Sequence, residues 1–139
     1  MGNYSFASPE MRVLVDTSIW IDYFRDAKNS AELDDLIRED LIVINDIILA
    51  EMIPFLKVRA QLPVVRLLRE VDRLPMQINW EEIIEFQVKC LQSGANGVGI
   101  PDLLIAQNAK SYNCEIYSLD KHFQLLSQVA KVKLFLCDP

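Results

Sequence analysis

Four acids of this chain stand at positions where an acid invites explanation: Asp16, Glu51, Asp102 and Asp120. Asp16 closes the apolar run Val13-Leu14-Val15 and precedes Thr17-Ser18 and Ile19-Trp20-Ile21. Asp120 comes just after Ile116-Tyr117-Ser118, and Asp102 follows Gly99-Ile100-Pro101 and opens Leu103-Leu104-Ile105-Ala106. Glu51 lies in the run from Ile47 to Leu56, which is apolar nearly all round and reads as a buried helix. An ionised carboxylate in such a helix is costly unless it is paired or bound to a cation. Each acid has a modest structural explanation. Asp16 and Asp120 suit helix N-caps, Asp102 suits a first helical turn, and Glu51 suits a buried ion pair. Capping alone does not explain acids at two strand ends, on an apolar helix and behind a glycine loop in one short chain.

Carboxylate oxygens are the donors preferred by hard divalent cations such as Mg²⁺ and Mn²⁺. Two such ions ~3.5–4 Å apart can activate a water and stabilise the leaving oxygen of a phosphodiester. Competing chemistries find little support. His122 is the only histidine, so a two-histidine nuclease mechanism is excluded, and this residue reads as a surface one. No GxxxxGK[ST] phosphate loop occurs. Cys90, Cys114 and Cys137 are odd in number and widely spaced, which suggests buried reduced thiols rather than a disulfide framework or a zinc site.

The elements that must position these acids follow from the hydrophobic pattern. Short apolar runs predict strands over 12–16, 41–44, 115–118 and 132–136. Longer periodic runs predict helices over 18–25, 31–38, 47–58, 64–73, 80–93, 101–112 and 121–129, with Asn45 or Asp46, Asn79 and Asp120 as caps. Pro63 and Pro101 suit first-turn positions, and Pro54 is a candidate kink. Alternating strands and helices predict an α/β domain with a mainly parallel sheet. In such a sheet ligands bind beyond the carboxyl ends of the strands, where the first and last of the four acids, Asp16 and Asp120, fall. The stretch 93–99 holds three of the four glycines and reads as a mobile loop.

With 139 residues and 51% hydrophobic content the chain can bury one core, and a single domain over 11–139 is expected. Residues 1–10 read as a polar leader. No apolar run nears the ~20 residues of a membrane span, and residues 1–11 hold no secretory apolar region. A soluble, cytoplasmic protein is expected. The net charge of −6 counts against a nucleic-acid partner. Cations held by four of the acids would offset most of that charge locally.

The residues carry a further pattern. Val13-Leu14-Val15-Asp16-Thr17-Ser18-Ile19-Trp20-Ile21, Leu49-Ala50-Glu51-Met52, Gly99-Ile100-Pro101-Asp102-Leu103-Leu104-Ile105-Ala106 and Ser118-Leu119-Asp120-Lys121-His122-Phe123 resemble, in order, the four blocks of the PIN-domain family. The first and third blocks are specific and the second is weak alone. The likeness runs from about Met11 to Pro139 and is strongest to the toxin nucleases of bacterial VapBC toxin–antitoxin pairs. It implies a three-layer α/β/α sandwich, Mg²⁺- or Mn²⁺-dependent endoribonuclease activity, a homodimer and a small antitoxin as partner. Asp16, Glu51, Asp102 and Asp120 would form the acidic metal-binding quartet, and a role for Thr17 or Ser18 in holding a site carboxylate is left open. Two positions depart from the family pattern. Pro54 stands near where many members have a glycine after the glutamate, and His122 where many have a second aspartate two residues after the fourth acid.

Contacts to RNA are expected from Lys57, Arg59, Arg66, Arg69 and Arg73, although Glu70 and Asp72 interrupt the segment and a solvated amphipathic face explains it as well. Apolar faces within 19–24 and 33–37 would suit a partner helix or ordinary core packing. A phosphatase with Asp16 as nucleophile would want a second acid two residues on, where the chain has Ser18. A non-catalytic binding module with structural acids is the remaining alternative.

Overall fold

A computed structural model describes residues 11–135. The expected leader over 1–10, the end of the last expected strand and Cys137 lie outside the described residues. The chain runs through a first strand β1 (Val13–Val15), helices α1 (Thr17–Arg25) and α2 (Glu32–Arg38), and strand β2 (Ile42–Val43). Helices α3 (Asp46–Val58), α4 (Leu62–Glu70), α5 (Trp80–Gln92) and α6 (Ile100–Ser111) follow, then strand β3 (Glu115–Tyr117) and helix α7 (His122–Ala130).

All three residues of β1 are buried, as a strand covered on both faces requires. It sits at the centre of a parallel sheet of order β2-β1-β3, with Val13 level with Ile42 on one side and with Glu115 on the other. The connection from β1 to β2 moves one way across the sheet, and the long connection from β2 to β3 moves back past β1. Right-handed crossovers in opposite directions place their helices on opposite faces. The result is the expected three-layer α/β/α sandwich, and the reversal makes the carboxyl end of β1 its switch point.

Several expectations are corrected. Of the strand expected over 132–136, the described residues 132–135 form one parallel bridge, Leu134 to Ile116. The helix expected over 64–73 begins at Leu62 and stops at Glu70, because Val71 turns to an extended conformation. Leu74 precedes Pro75, which disfavours helical geometry there. Residues 72–74 instead run beside Ile44, whose N–H donates to the Asp72 carbonyl at 2.9 Å while the Leu74 N–H donates to the Ile44 carbonyl at 2.8 Å. Helix α3 is not buried all round: Ile48, Leu49, Met52, Ile53 and Leu56 face the core, while Ala50, Glu51, Pro54 and Phe55 are exposed. Glu51 is therefore no buried charge. The helix continues past Pro54 because its apolar face is anchored before and after the missing donor.

The buried polar side chains tie the layers together. Asn45, fully buried, caps α3 by accepting from the Ile48 N–H at 3.0 Å and donates to Asn108 Oδ1 on α6 at 2.9 Å. Asn108 in turn donates to the Pro75 carbonyl at 3.0 Å. On the other side of the core Trp20 of α1 stacks on Phe24 at 5.7 Å. Cys90 and Cys114 are buried, as their spacing suggested.

Candidate metal centre

Asp16 is both the last residue before α1 and the first beyond β1, so its position is set by the switch point itself. It is 5% exposed. Its Oδ2 accepts from the Ser18 hydroxyl at 2.9 Å and from the Ser118 hydroxyl at 2.8 Å. The Ser18 N–H stands at 3.5 Å, a weak version of the N-cap bond expected from the sequence. Ser118 also accepts from the Asp120 N–H at 3.0 Å, and Ser18 from the Leu119 N–H at 2.9 Å. Two serines thus stitch the end of β1 to the end of β3, and one of them holds both Asp16 and the backbone of Asp120.

Glu51 reaches the same end of the sheet from α3. Its Oε1 accepts from the Thr17 hydroxyl at 2.7 Å, so the residue next to Asp16 fixes where this exposed carboxylate points. The question the sequence left open about Thr17 and Ser18 has a clear answer, since each hydroxyl grips a different acid.

Asp102, in the first turn of α6, and Asp120, just before α7, converge with His122. One ligand atom from each of these three residues lies within 4.8 Å of the other two. Asp16 and Glu51 stand outside this tighter group. Asp16 is still near enough for its charge to register: Asp102 has its carboxyl pushed above the ordinary aspartate range, first by burial and then by the charges of Asp120 and Asp16, with His122 opposing. Like charges held together in a partly buried site favour a neutralising cation, and three carboxylates with an imidazole are a donor set that fits one.

His122, expected at the surface, is the residue that the sequence reading undervalued. Its backbone N–H donates to Asp120 Oδ1 at 2.9 Å, and its side chain is 42% exposed, as a surface residue should be, yet points Nδ1 at the acids. Nδ1 is 3.5 Å from Asp102 Oδ2 and 3.5 Å from Asp120 Oδ1, too far for a good hydrogen bond to either. That atom is buried without a hydrogen-bond partner. Ser118 was missed as well. Its only signal was its place two residues before Asp120 at a strand end.

Removing the Ser118 hydroxyl should loosen two acids at once. Ser118→Ala deletes a bond to a charged group and leaves the Asp120 N–H unpaired, so a loss of about 1.5 kcal/mol is expected. Urea unfolding would show this as a lower midpoint with an unchanged slope.

The fold is a parallel α/β sandwich with acids gathered beyond the carboxyl end of its central strand. The sequence profile of the PIN domain matches residues 13–129, and the chain belongs to the PIN-domain family, whose members are usually nucleases. By sequence alone no curated protein matches it. Solved structures share its fold. A chain of VapBC2 from Rickettsia felis, solved bound to a fragment of promoter DNA, superposes with a TM-score of 0.72 at 22% identity, covering 92% of this chain and 100% of that one. VapBC-1 from nontypeable Haemophilus influenzae gives a TM-score of 0.65 at 22% identity over 90% of this chain and 97% of that one. FitAcB from Neisseria gonorrhoeae gives 0.63 at 20% over 89% and 96%.

Proposed function

We propose that this chain is a Mg²⁺- or Mn²⁺-dependent endoribonuclease, the toxin of a type II toxin–antitoxin pair, acting in the cytoplasm through Asp16, Glu51, Asp102 and Asp120. The observation that carries the reading is the convergence of Asp102 and Asp120 beside Asp16, with Asp102 held against the charges of the other two. Among the described residues no Lys or Arg forms an ion pair with any of these acids, and His122, 3.5 Å from Asp102 and Asp120, is a single side chain set against three carboxylates.

In this reading Asp16, Asp102 and Asp120 hold the cation, and Glu51, aimed by Thr17, lies on the rim facing solvent. A divalent cation there supplies Lewis-acid stabilisation of charge on the phosphate oxygens and a lowered pKa for the attacking water. Ser18 and Ser118 keep Asp16 in one orientation by occupying Oδ2, which leaves Oδ1 free of those bonds. No side chain need bond covalently to the phosphate.

The surface supports the partners. Lys57, Arg59, Arg66 and Arg69 are exposed and fit RNA phosphates. Arg73 pairs with Asp46 at 3.2 Å and is less available. A cleft of about 370 Å³, apolar at Ile21, Phe24, Met52, Phe55, Leu56 and Val64 and polar at Arg25, Arg59 and Gln61, suits an amphipathic antitoxin segment. Trp80, Ile84, Val88 and Leu91 form an exposed apolar stripe on α5 that suits a homodimer contact. That neighbours of this fold were solved as VapBC and FitAB complexes agrees with a protein partner.

The test is incubation of purified, antitoxin-free protein with labelled RNA in Mg²⁺ or Mn²⁺, in EDTA, and with Asp16→Asn beside the wild type. Discrete fragments that disappear with chelator and with the variant support the proposal. Intact RNA in the presence of protein that binds metal would transfer support to a non-catalytic module, in which Asp16 serves only as the cap of α1.

A further inference from the structure

Resting on the metal-centre reading, we propose that His122 Nδ1 is a third ligand of the cation held by Asp102 and Asp120, and that this nitrogen biases the site from Mg²⁺ towards Mn²⁺. The case begins with the orphaned atom. A buried imidazole nitrogen ordinarily finds a hydrogen-bond partner, yet Nδ1 has none. It is equidistant, at 3.5 Å, from one oxygen of each aspartate. Donors sharing one ion through bonds of ~2.1 Å lie ~3.0 Å apart in octahedral and ~3.4 Å apart in tetrahedral arrangements. The two distances from Nδ1 are slightly wider than the second value, and all three ligand atoms lie within 4.8 Å of one another, so an inward shift of the side chains completes the site.

The ring is positioned rather than merely adjacent. The His122 N–H bond to Asp120 Oδ1 fixes the start of α7 against the acid. Across the ring stands Gly97 of the glycine loop, where a Cβ would make an ordinary contact with Nε2 at 3.6 Å. The ring is thus bounded by the loop on its Nε2 side and faces the acids with Nδ1, and a neutral ring with its proton on Nε2 presents a lone pair to them.

The donor type sets the preference. Mg²⁺ is served by carboxylates and water, whereas imidazole favours first-row transition ions, whose affinities rise along the series from Mn²⁺. A carboxylate at this position would add charge and favour a hard ion; a histidine adds a softer, neutral donor.

Because His122 is the only histidine in the chain, any imidazole nitrogen bound to the metal is its own. The experiment uses the full chain without a histidine tag, in imidazole-free buffer. Calorimetric titration with MnCl₂ and with MgCl₂ is combined with pulsed electron paramagnetic resonance of the Mn²⁺ complex, which detects directly bound nitrogen-14. Expected are a nitrogen coupling in the wild type and Mn²⁺ affinity at least about 30-fold above that for Mg²⁺. His122→Ala should lose the coupling and about tenfold or more in Mn²⁺ affinity, with Mg²⁺ affinity changed by less than about threefold. His122→Asp should narrow the Mn²⁺ over Mg²⁺ preference, and serves if the alanine variant fails to fold. Mn²⁺ binding that is lost in Asp102→Asn but shows no nitrogen coupling would overturn the histidine proposal and leave the metal centre standing. Mn²⁺ binding unaffected by Asp102→Asn, or none at all, would overturn both.

Discussion

Asp102→Asn is expected to raise the melting temperature of the metal-free protein while lowering RNA cleavage by more than about a hundredfold. The gain follows from the sign of the shift at Asp102. Burial raises its pKa in the folded state, with Asp120 and Asp16 adding to the effect. A carboxyl whose folded pKa lies above its unfolded value contributes stability below the unfolded value and loses it as pH rises through the folded one. At neutral pH the ionised Asp102 therefore costs stability, and the isosteric amide removes that cost. The expected rise is a few degrees, in the range of optimised surface charges, and it should fade as pH falls below about 4, where the carboxyl is protonated in either state. Saturating Mn²⁺ should reverse the order, because only the wild type gains full stabilisation from the ion. The loss of cleavage should exceed the ~10–100-fold typical of residues that merely orient a ligand. Scanning calorimetry at pH 7 and pH 3.5, with and without metal, checks the whole set; a lower melting temperature for the metal-free variant at pH 7 would contradict the electrostatic account.

The second large effect is structural. Asn45→Ala should cost about 3 kcal/mol, more than Ser118→Ala, because one substitution removes three things. It deletes the N-cap of α3, worth ~1 kcal/mol. It breaks the buried bond to Asn108, and it leaves Asn108 Oδ1 without that donor in a dry interior, a penalty of ~1–3 kcal/mol. The consequence extends to the site, because Asn45 and Asn108 connect the helix carrying Glu51 with the helix carrying Asp102. Denaturant unfolding of Asn45→Ala, Asn108→Ala and the double variant forms a cycle. A double variant well short of the sum of the two single losses is expected, since the second substitution removes a partner that is already orphaned. Additive losses would mean that the two amides act independently.

What the sequence revealed follows the range of the forces involved. Helix starts were legible where a side chain caps its own backbone, as Asn45 and Asn79 do. The central strand was legible because Val13-Leu14-Val15 has no polar face. The short parallel contacts of Ile44 with Arg73 and of Ile116 with Leu134 were not, since an isolated bridge leaves no periodic trace. Glu51 was placed in the site but assigned the wrong burial. An apolar composition says how greasy a helix is, whereas its exposure depends on which face its neighbours cover. The long-range polar contacts were least legible. Ser118 bonds Asp16 across a separation of 102 residues, and the approach of His122 Nδ1 to Asp102 depends on where α6 lies.

The central place of β1 also sets an order of events during synthesis. β1 is the first strand among the described residues, yet its neighbour β3 begins at Glu115, and Asp102, Asp120 and His122 all lie on segments made late. Pairings between such distant segments form slowly, because a long loop must close before they are rewarded. A chain that has emerged only as far as α5 has a strand with one open edge and Asp16 without its Ser118 anchor. In the proposed nuclease reading, activity therefore waits on about the last quarter of the described chain, where Asp102, Asp120 and His122 lie.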